Sequence, residues 1–545
     1  MNTAFSITGT LVDIPAKELR PVEIQVLDGR IAAIRPCKNP EPGFIMPGFV
    51  DAHIHIESSM LTPARFAEAA LPHGTLSTVS DPHEIGNVCG TEGLDFMVNN
   101  AKGIPFHFCF GVPSCVPATT FETAGAVITA QQVAERIVKP EWAYLSEVMN
   151  VPGVLFKDPE LMAKIAATHA AGKPVDGHAP GLRGKDALRY VQAGIQTDHE
   201  CVSLDEAEEK LSYGMKILIR EGSAARNFEA LWPLLNSHPD QVMLCSDDKH
   251  PDELLLGHIN VLVSRAVALG VPVFKVLQAA CINPLDHYRI PLGRLRLGDS
   301  ADFIRTNDLV NFQVVESYFQ GEKVAENGKA HFQVPPSKPV NRFFPFKLSL
   351  EDLRIPSQPS FQAIVAEDGQ LLTKSETVHP PAKNGEALAA PEQNLLKLVV
   401  VNRYHQAPPA VAFIRNIGLK KGAFASSVAH DSHNVIAVGA DDASLLLAIE
   451  RIRDMQGGVS AALASENINL GLPLPYAGLM SDASAVEVGN QYSALDAQVK
   501  SWGSALRAPY MTLSFMALLV IPELKLSDKG LFDGKRFTLL DLHQP

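Results

Sequence analysis

No C-x-x-C pair occurs in this sequence; its seven cysteines are scattered, odd in number and widely spaced. That pattern opposes a disulfide framework and fits thiols kept reduced in a cytoplasm. Long charged blocks are missing too. The formal net charge is -13 with no Lys/Arg cluster, which argues against a nucleic-acid partner and against an anionic membrane surface. No basic segment followed by an apolar core opens the chain, so a secretory signal is not expected. The longest apolar run, Leu513 to Pro522, is too short to span a bilayer and reads as a buried strand or helix. Internal repeats and low-complexity tracts are also lacking. What remains is an ordinary globular balance, 46% hydrophobic and 20% charged, over 545 residues, enough for two or three domains.

One stretch gives the first hint of chemistry: Phe49-Val50-Asp51-Ala52-His53-Ile54-His55-Ile56-Glu57, after Phe44-Ile45-Met46 and Pro47-Gly48. Residues two apart on a strand point to the same side, so His53 and His55 aim two imidazoles into one space. Neutral imidazole binds metals, but two ordinary solvent-facing histidines have the same spacing. The pair needs support from elsewhere in the chain.

Residues 1–46 read as a small antiparallel sheet, with Asp28-Gly29 as a hairpin-type turn. From Phe44 to about Tyr288, short apolar strands alternate with amphipathic helices. Strands are predicted at Phe44–Val50, Leu76–Ser80, Pro105–Phe110, Ala143–Val148, Pro174–Asp176, Ile195–Asp198, Met215–Ile219 and Val242–Cys245. Helices between them include Pro63–Leu71, Pro159–Ala171, Leu204–Ser212 and Ala225–Leu235. Eight such units fit an α/β fold of the (β/α)8 TIM-like barrel type. The competing open sheet loses its dinucleotide-binding version, since no G-x-G-x-x-G opens a helix after a strand. Strand-like segments at Leu292–Ile304 and Val314–Glu322 are expected to return to the N-terminal strands as a small flanking β-sandwich. Proline-rich residues 335–345 and 354–360, with the polar loop 379–393, read as linker and excursion. The expected division is 1–46 with 289–335, 47–288 for the barrel, and 346–545 for a C-terminal α+β domain. In that last domain a helix is predicted at Asp442–Gln456, with Asp441 as N-cap and Gly457 as C-cap.

Barrel active sites lie at the C-terminal strand ends. Here ionisable residues follow seven of the eight strands: Asp51, His53 and His55; Asp81, His83 and Glu84; Glu147; Asp176 and His178; Asp198, His199 and Glu200; Arg220 and Glu221; Asp247 and Asp248. A face polar by chance is a poor account of that set, whereas a divalent metal site uses imidazole and carboxylate. The segment His430-Asp431-Ser432-His433-Asn434 reads first as a polar turn and only second as a piece reaching over the barrel mouth.

These residues resemble the amidohydrolase superfamily and, within it, the adenine deaminase family. The matching stretches are Pro47 to Ser59, Asp81-Pro82-His83-Glu84-Ile85, Ser146 to Asn150, Asp176 to Gly181, Thr197 to Glu200, Arg220 to Ser223 and Ser246 to Pro251. In the last domain they are Val428 to Asn434, Ala477 to Asp482 and Met511 to Phe515. The resemblance implies a binuclear divalent metal, manganese first with iron or zinc as alternatives. It makes His53 and His55 ligands of one ion, Glu147 the bridge, and His178 and His199 ligands of the other. Asp247 would bind the first ion and handle the proton of the reacting water. Many deaminases of the superfamily carry a Glu three residues after the fifth-strand histidine; Gly181 stands here instead. Glu200 or the pair His83 and Glu84 are then the candidates for protonating the ring. Arg220, Glu221, Ser246, Asp248, His430 and His433 are the candidates for holding substrate. The implied reaction is hydrolysis of adenine to hypoxanthine and ammonia, by a homo-oligomer without nucleic-acid or membrane partners. Another aminopurine, cytosine, a cyclic amide or a non-enzymatic metal scaffold remain as alternatives. Glu57 and Ser58 match the family pattern but suggest no physical role beyond lining the mouth.

Overall fold

The computed structural model describes residues 4–540. Strands Ala4–Asp13, Glu18–Leu27 and Arg30–Pro36 form an antiparallel meander. Phe44–Met46 pairs in parallel with Ala4–Asp13 and antiparallel with Phe303–Thr306. The strands after the barrel therefore join the N-terminal ones in one eight-stranded sheet. It curls so that Phe5 stacks on Tyr318 at 5.6 Å. The expected strand Phe44–Val50 is two strands, broken at Pro47-Gly48. Only glycine fits the break, since a Cβ on Gly48 would lie 2.3 Å from Leu76 Cγ.

Eight parallel strands follow: Phe49–Ile54, Thr75–Ser80, His107–Val112, Trp142–Val148, Val175–Gly177, Thr197–Asp198, Lys216–Arg220 and Val242–Cys245. Two hydrogen bonds complete the ring. Gln196 N donates to Val175 O at 2.9 Å between the fifth and sixth strands, and Asp247 N donates to His53 O at 2.9 Å between the eighth and first. The result is a (β/α)8 barrel. Helices form at Pro63–Ala70, Pro159–Ala170 and Leu204–Ser212, as periodicity predicts. The predicted helix Ala225–Leu235 instead splits into Phe228–Leu231 and Leu234–Ser237, because Pro233 has no N–H to continue the ladder. An unforeseen helix, His83–Cys89, starts directly after the second strand and carries His83 and Glu84 in its first turn.

The C-terminal part is built on a second eight-stranded sheet, with Leu395–Val401 and Val435–Gly439 near its centre. Helix Asp442–Met455 packs on it, and the Asp441 side chain caps that helix by accepting from Ser444 N at 2.8 Å. The left-handed residue ending it is Gln456, at φ 56°, rather than Gly457. Gly457 is required for a different reason: a Cβ there would sit 2.4 Å from Gly478 Cα. The run Leu513–Pro522 is neither one strand nor one helix. Helix Pro509–Ser514 ends inside it, a short 3-10 turn follows, and the rest is irregular. One hydrophobic core runs from the barrel into this part, placing Leu61 and Ile85 with Leu479, Met480 and Phe515. Among the described residues no helix is long and apolar enough to cross a membrane, and all seven cysteines are unpaired.

Candidate metal centre and active site

The barrel geometry brings the strand-end ligands together. The rings of His53 and His55 are 4.9 Å apart, and His199 stacks on His53 at 4.1 Å. Glu147 lies between imidazoles. Its Oε1 is 3.4 Å from His55 Nε2, whereas Oε2 is 2.9 Å from His178 Nδ1 and 3.2 Å from His199 Nε2. Asp247 Oδ1 is 3.6 Å from His53 Nε2 and 3.3 Å from His55 Nε2. All six side chains are buried. Both ring nitrogens of His53 and Nε2 of His178 nevertheless lack a hydrogen-bond partner. Orphaned buried nitrogens are costly unless something coordinates them. The donor set of imidazole and carboxylate fits a divalent metal. Burial alone would raise both carboxyls, but His178 and His199 hold Glu147, and Arg220 with His53 and His55 holds Asp247, well below the usual range. His83 and Asp81 extend the cluster: with His55 and Glu147 they place four donor atoms within 4.8 Å of one another.

Arg220 ends the seventh strand and clamps two acids. Its Nη1 contacts Glu200 Oε1 and donates to Asp247 Oδ2 at 2.7 Å, while Nη2 donates to Glu200 Oε2 at 2.9 Å. Burial pushes the Glu200 carboxyl up, but Arg220 and His178 outweigh it and leave it at about 2. Both Glu200 oxygens are engaged by Arg220. Both Nη groups of the guanidinium serve the acids, and only Nε is left without a partner.

A second polar group closes the mouth from the C-terminal side. His430 Nδ1 is 2.8 Å from Glu84 Oε1, and its ring stacks on Phe515 at 4.9 Å. Ser58 Oγ donates to Asp248 Oδ1 at 2.5 Å and lies 3.3 Å from Glu84 Oε1. Asp431 is 3.5 Å from His83 Nε2. The segment 430–434 is therefore buried over the barrel and is not a solvated turn. Part of its polar complement is met by protein: Asn434 Nδ2 donates to Thr123 O, and the Tyr404 hydroxyl bonds Ser432 O. Ser58 links Glu84 to Asp248. Glu57 Oε1 accepts from Ile85 N at 3.2 Å, which fixes the first turn that carries His83 and Glu84.

Three residues expected to hold substrate are placed elsewhere. Ser246 N donates to Asp51 Oδ1 at 3.0 Å, Glu221 pairs with Arg265 at 2.5 Å, and His433 Nδ1 accepts from Ala429 N at 3.2 Å, behind His430. Glu221 directly follows the inward-facing Arg220 at the end of its strand, where neighbours face opposite sides. The Ser246 hydroxyl is turned to Asp51 Oδ2. Three of the strand-end acids brace the barrel: Asp51 with His258, Asp176 with Tyr288, and Asp198 with Lys210.

Leu371, Phe515, Leu518 and Val520 roof a cavity of about 350 Å3. Phe515 carried a sequence signal through the stretch Met511 to Phe515, and Leu518 and Val520 lie in the apolar run read as buried. Buried Lys525 ties this roof together, donating to Leu371 O at 2.7 Å and to Phe515 O at 2.9 Å. Burial brings its ammonium down to about 7. In the unfolded chain the same amine titrates near ~10.4. The unfolded state therefore binds more protons between about pH 7 and ~10.4, so this group's contribution makes stability rise with pH across that window. Lys525→Met is expected to flatten that rise. Denaturant midpoints measured from pH 7 to 10 check it, and an unchanged slope refutes the lowered titration of the buried amine.

Residues 44–324 match the model of the amidohydrolase family, and residues 370–538 match the adenine deaminase C-terminal domain. The chain is 51% identical to an adenine deaminase of Salinibacter ruber, over 99% of each chain. It is 48% identical to one of Parabacteroides distasonis and 46% identical to one of Methanosarcina mazei, each over 98% of both chains. With a barrel bearing this donor cluster and a C-terminal part that closes over it, the chain belongs to the adenine deaminase family of amidohydrolases.

Proposed function

We propose that the chain hydrolyses adenine to hypoxanthine and ammonia with the help of two divalent cations. The carrying observation is Glu147, which offers one oxygen to His55 and the other to His178 and His199. His53, His55 and Asp247 with Oε1 of Glu147 would hold one ion, and His178 and His199 with Oε2 the other. Manganese is the proposed metal; iron and zinc accept the same donors. When bound, the cations supply water acidified toward neutral pH, the nucleophile that a neutral aromatic ring requires.

The protein's own residues handle orientation and protons. Asp247 takes a proton at Oδ1 and passes it to the leaving amino group, while Arg220 fixes its Oδ2. Protonation of the ring nitrogen is assigned to His83, which Asp81 and Asp431 favour in its charged form against the effect of burial. Glu84 beside it is paired to His430, and Glu200 is tied up by Arg220. Asp248 and His430, joined through Ser58 and Glu84, form the polar wall for the edge of the base. Phe515 and Leu518 exclude water. The reading further places the enzyme in the cytoplasm as a homo-oligomer, which sedimentation measures.

Ammonia release from adenine, other aminopurines, cytosine and hydantoins tests the substrate. Adenine is expected to give the highest kcat/KM. Preference for cytosine or a hydantoin moves the same centre to another reaction, and bound metal without turnover of any of them leaves a scaffold. Chelation is expected to abolish activity, and single ions to restore it. Glu147→Gln is expected to lose bound metal and more activity than the ~10–100-fold typical of outer-shell changes; metal analysis and kcat measured together check this, and full metal loading of the variant overturns the bridge.

A further inference from the structure

A second cavity, of about 770 Å3, adjoins the active-site chamber and shares Glu200, Arg220 and Leu371 with it. Its outer rim is apolar and open to solvent, with Val202 57% and Leu372 44% exposed. Its inner end is the buried pair of Glu200 and Arg220. A further cavity meets the chamber at Met149, His178 and Val520, on the side of the metal ligands, whereas the second cavity meets it at the Glu200–Arg220 pair.

The walls of this second cavity say what it suits. Their buried polar groups are mostly paired with protein, while the exposed Gln370 lies at the rim. Asn227 Oδ1 accepts from Arg220 N, and its Nδ2 donates to His199 O and Cys201 O. Arg226 donates to Gly222 O and to Glu253. At the shared end, Arg220 Nε is buried without a hydrogen-bond partner. Apolar faces with one spare donor suit a neutral, planar nitrogen heterocycle and give an anion or a cation little to hold. Leu371 stands between the two spaces. Its backbone is fastened on the inner side by Lys525, and Thr373 is pinned to Pro522 O and Leu524 O.

We propose that this cavity is a vestibule that takes up the free purine base and releases the deaminated product, with the Leu371 side chain as its inner gate. The proposal rests on the reading of adenine as substrate. The test uses the metal-loaded enzyme as Leu372→Cys, treated with a bulky maleimide at the rim. Val486→Cys, exposed and outside both cavities, is the labelling control. Each unlabelled variant is its own reference. Labelling at position 372 is expected to lower kcat/KM for adenine at least tenfold with metal content unchanged, and labelling at 486 to change it less than twofold. Hypoxanthine is expected to slow labelling of the thiol introduced at 372. Labelled Leu372→Cys within twofold of its reference overturns the vestibule. If the unlabelled enzyme deaminates a different base, adenine fails as substrate, and the same labelling read with that base still decides the vestibule.

Discussion

Asp247→Asn is expected to lower kcat for adenine by ~10³–10⁴-fold, near the upper end of what one acid–base group contributes. The substitution is isosteric and keeps one oxygen for its neighbours. It removes the charge and the capacity to accept a proton at Oδ1, the atom 3.3 Å from His55 and 3.6 Å from His53. The fold should tolerate the change. Arg220 retains both contacts to Glu200, so no buried guanidinium is orphaned. Ammonia release gives kcat, thermal unfolding gives stability, and metal analysis separates lost proton transfer from lost metal. A variant that keeps its metal and a near-wild-type kcat removes Asp247 from the proton path.

The converging imidazoles and carboxylates were legible in the sequence because each lies at or just beyond the end of a short apolar strand, and a barrel gathers strand ends in one place. His53, His55, Glu147, His178, His199 and Asp247 converge for that reason. The same logic overreaches one residue further along. Ser246 and Glu221 adjoin Asp247 and Arg220 but are paired outside the chamber, with Asp51 and Arg265. The segment 430–434 was opaque for another reason. Whether a polar turn meets water or protein depends on what folds against it, and Asn434 finds its carbonyl partner in Thr123, 311 residues away in sequence. The roof carried still less signal. Leu371, Leu518 and Val520 are ordinary apolar residues, and Lys525 sits between Leu524 and Leu526 as an exposed lysine on an alternating strand would. Its burial follows from the carbonyls of Leu371 and Phe515, which the sequence does not place beside it.

Arg220→Met is expected to strike stability and turnover together. The guanidinium is the cationic partner of Glu200 and reaches Asp247 from the same nitrogen. Removing one partner from a buried charge cluster costs ~3–5 kcal/mol, because the remaining charges stay desolvated. Two carboxylates are left here, so the thermal midpoint should fall clearly even with metal bound. Turnover falls as well, since Asp247 loses the contact that fixes Oδ2 while Oδ1 handles the proton. Arg220→Lys should recover part of the stability but little of kcat. A single ammonium neutralises charge yet cannot span three oxygens with the geometry of a planar fork. The double variant Arg220→Met/Glu200→Gln separates charge from shape. If orphaned charge is the cause, neutralising Glu200 makes the double variant more stable than Arg220→Met alone, a coupling of the kind expected between contacting residues. If the double variant is no more stable, the loss belongs to packing around the methionine, and the clamp is steric rather than electrostatic.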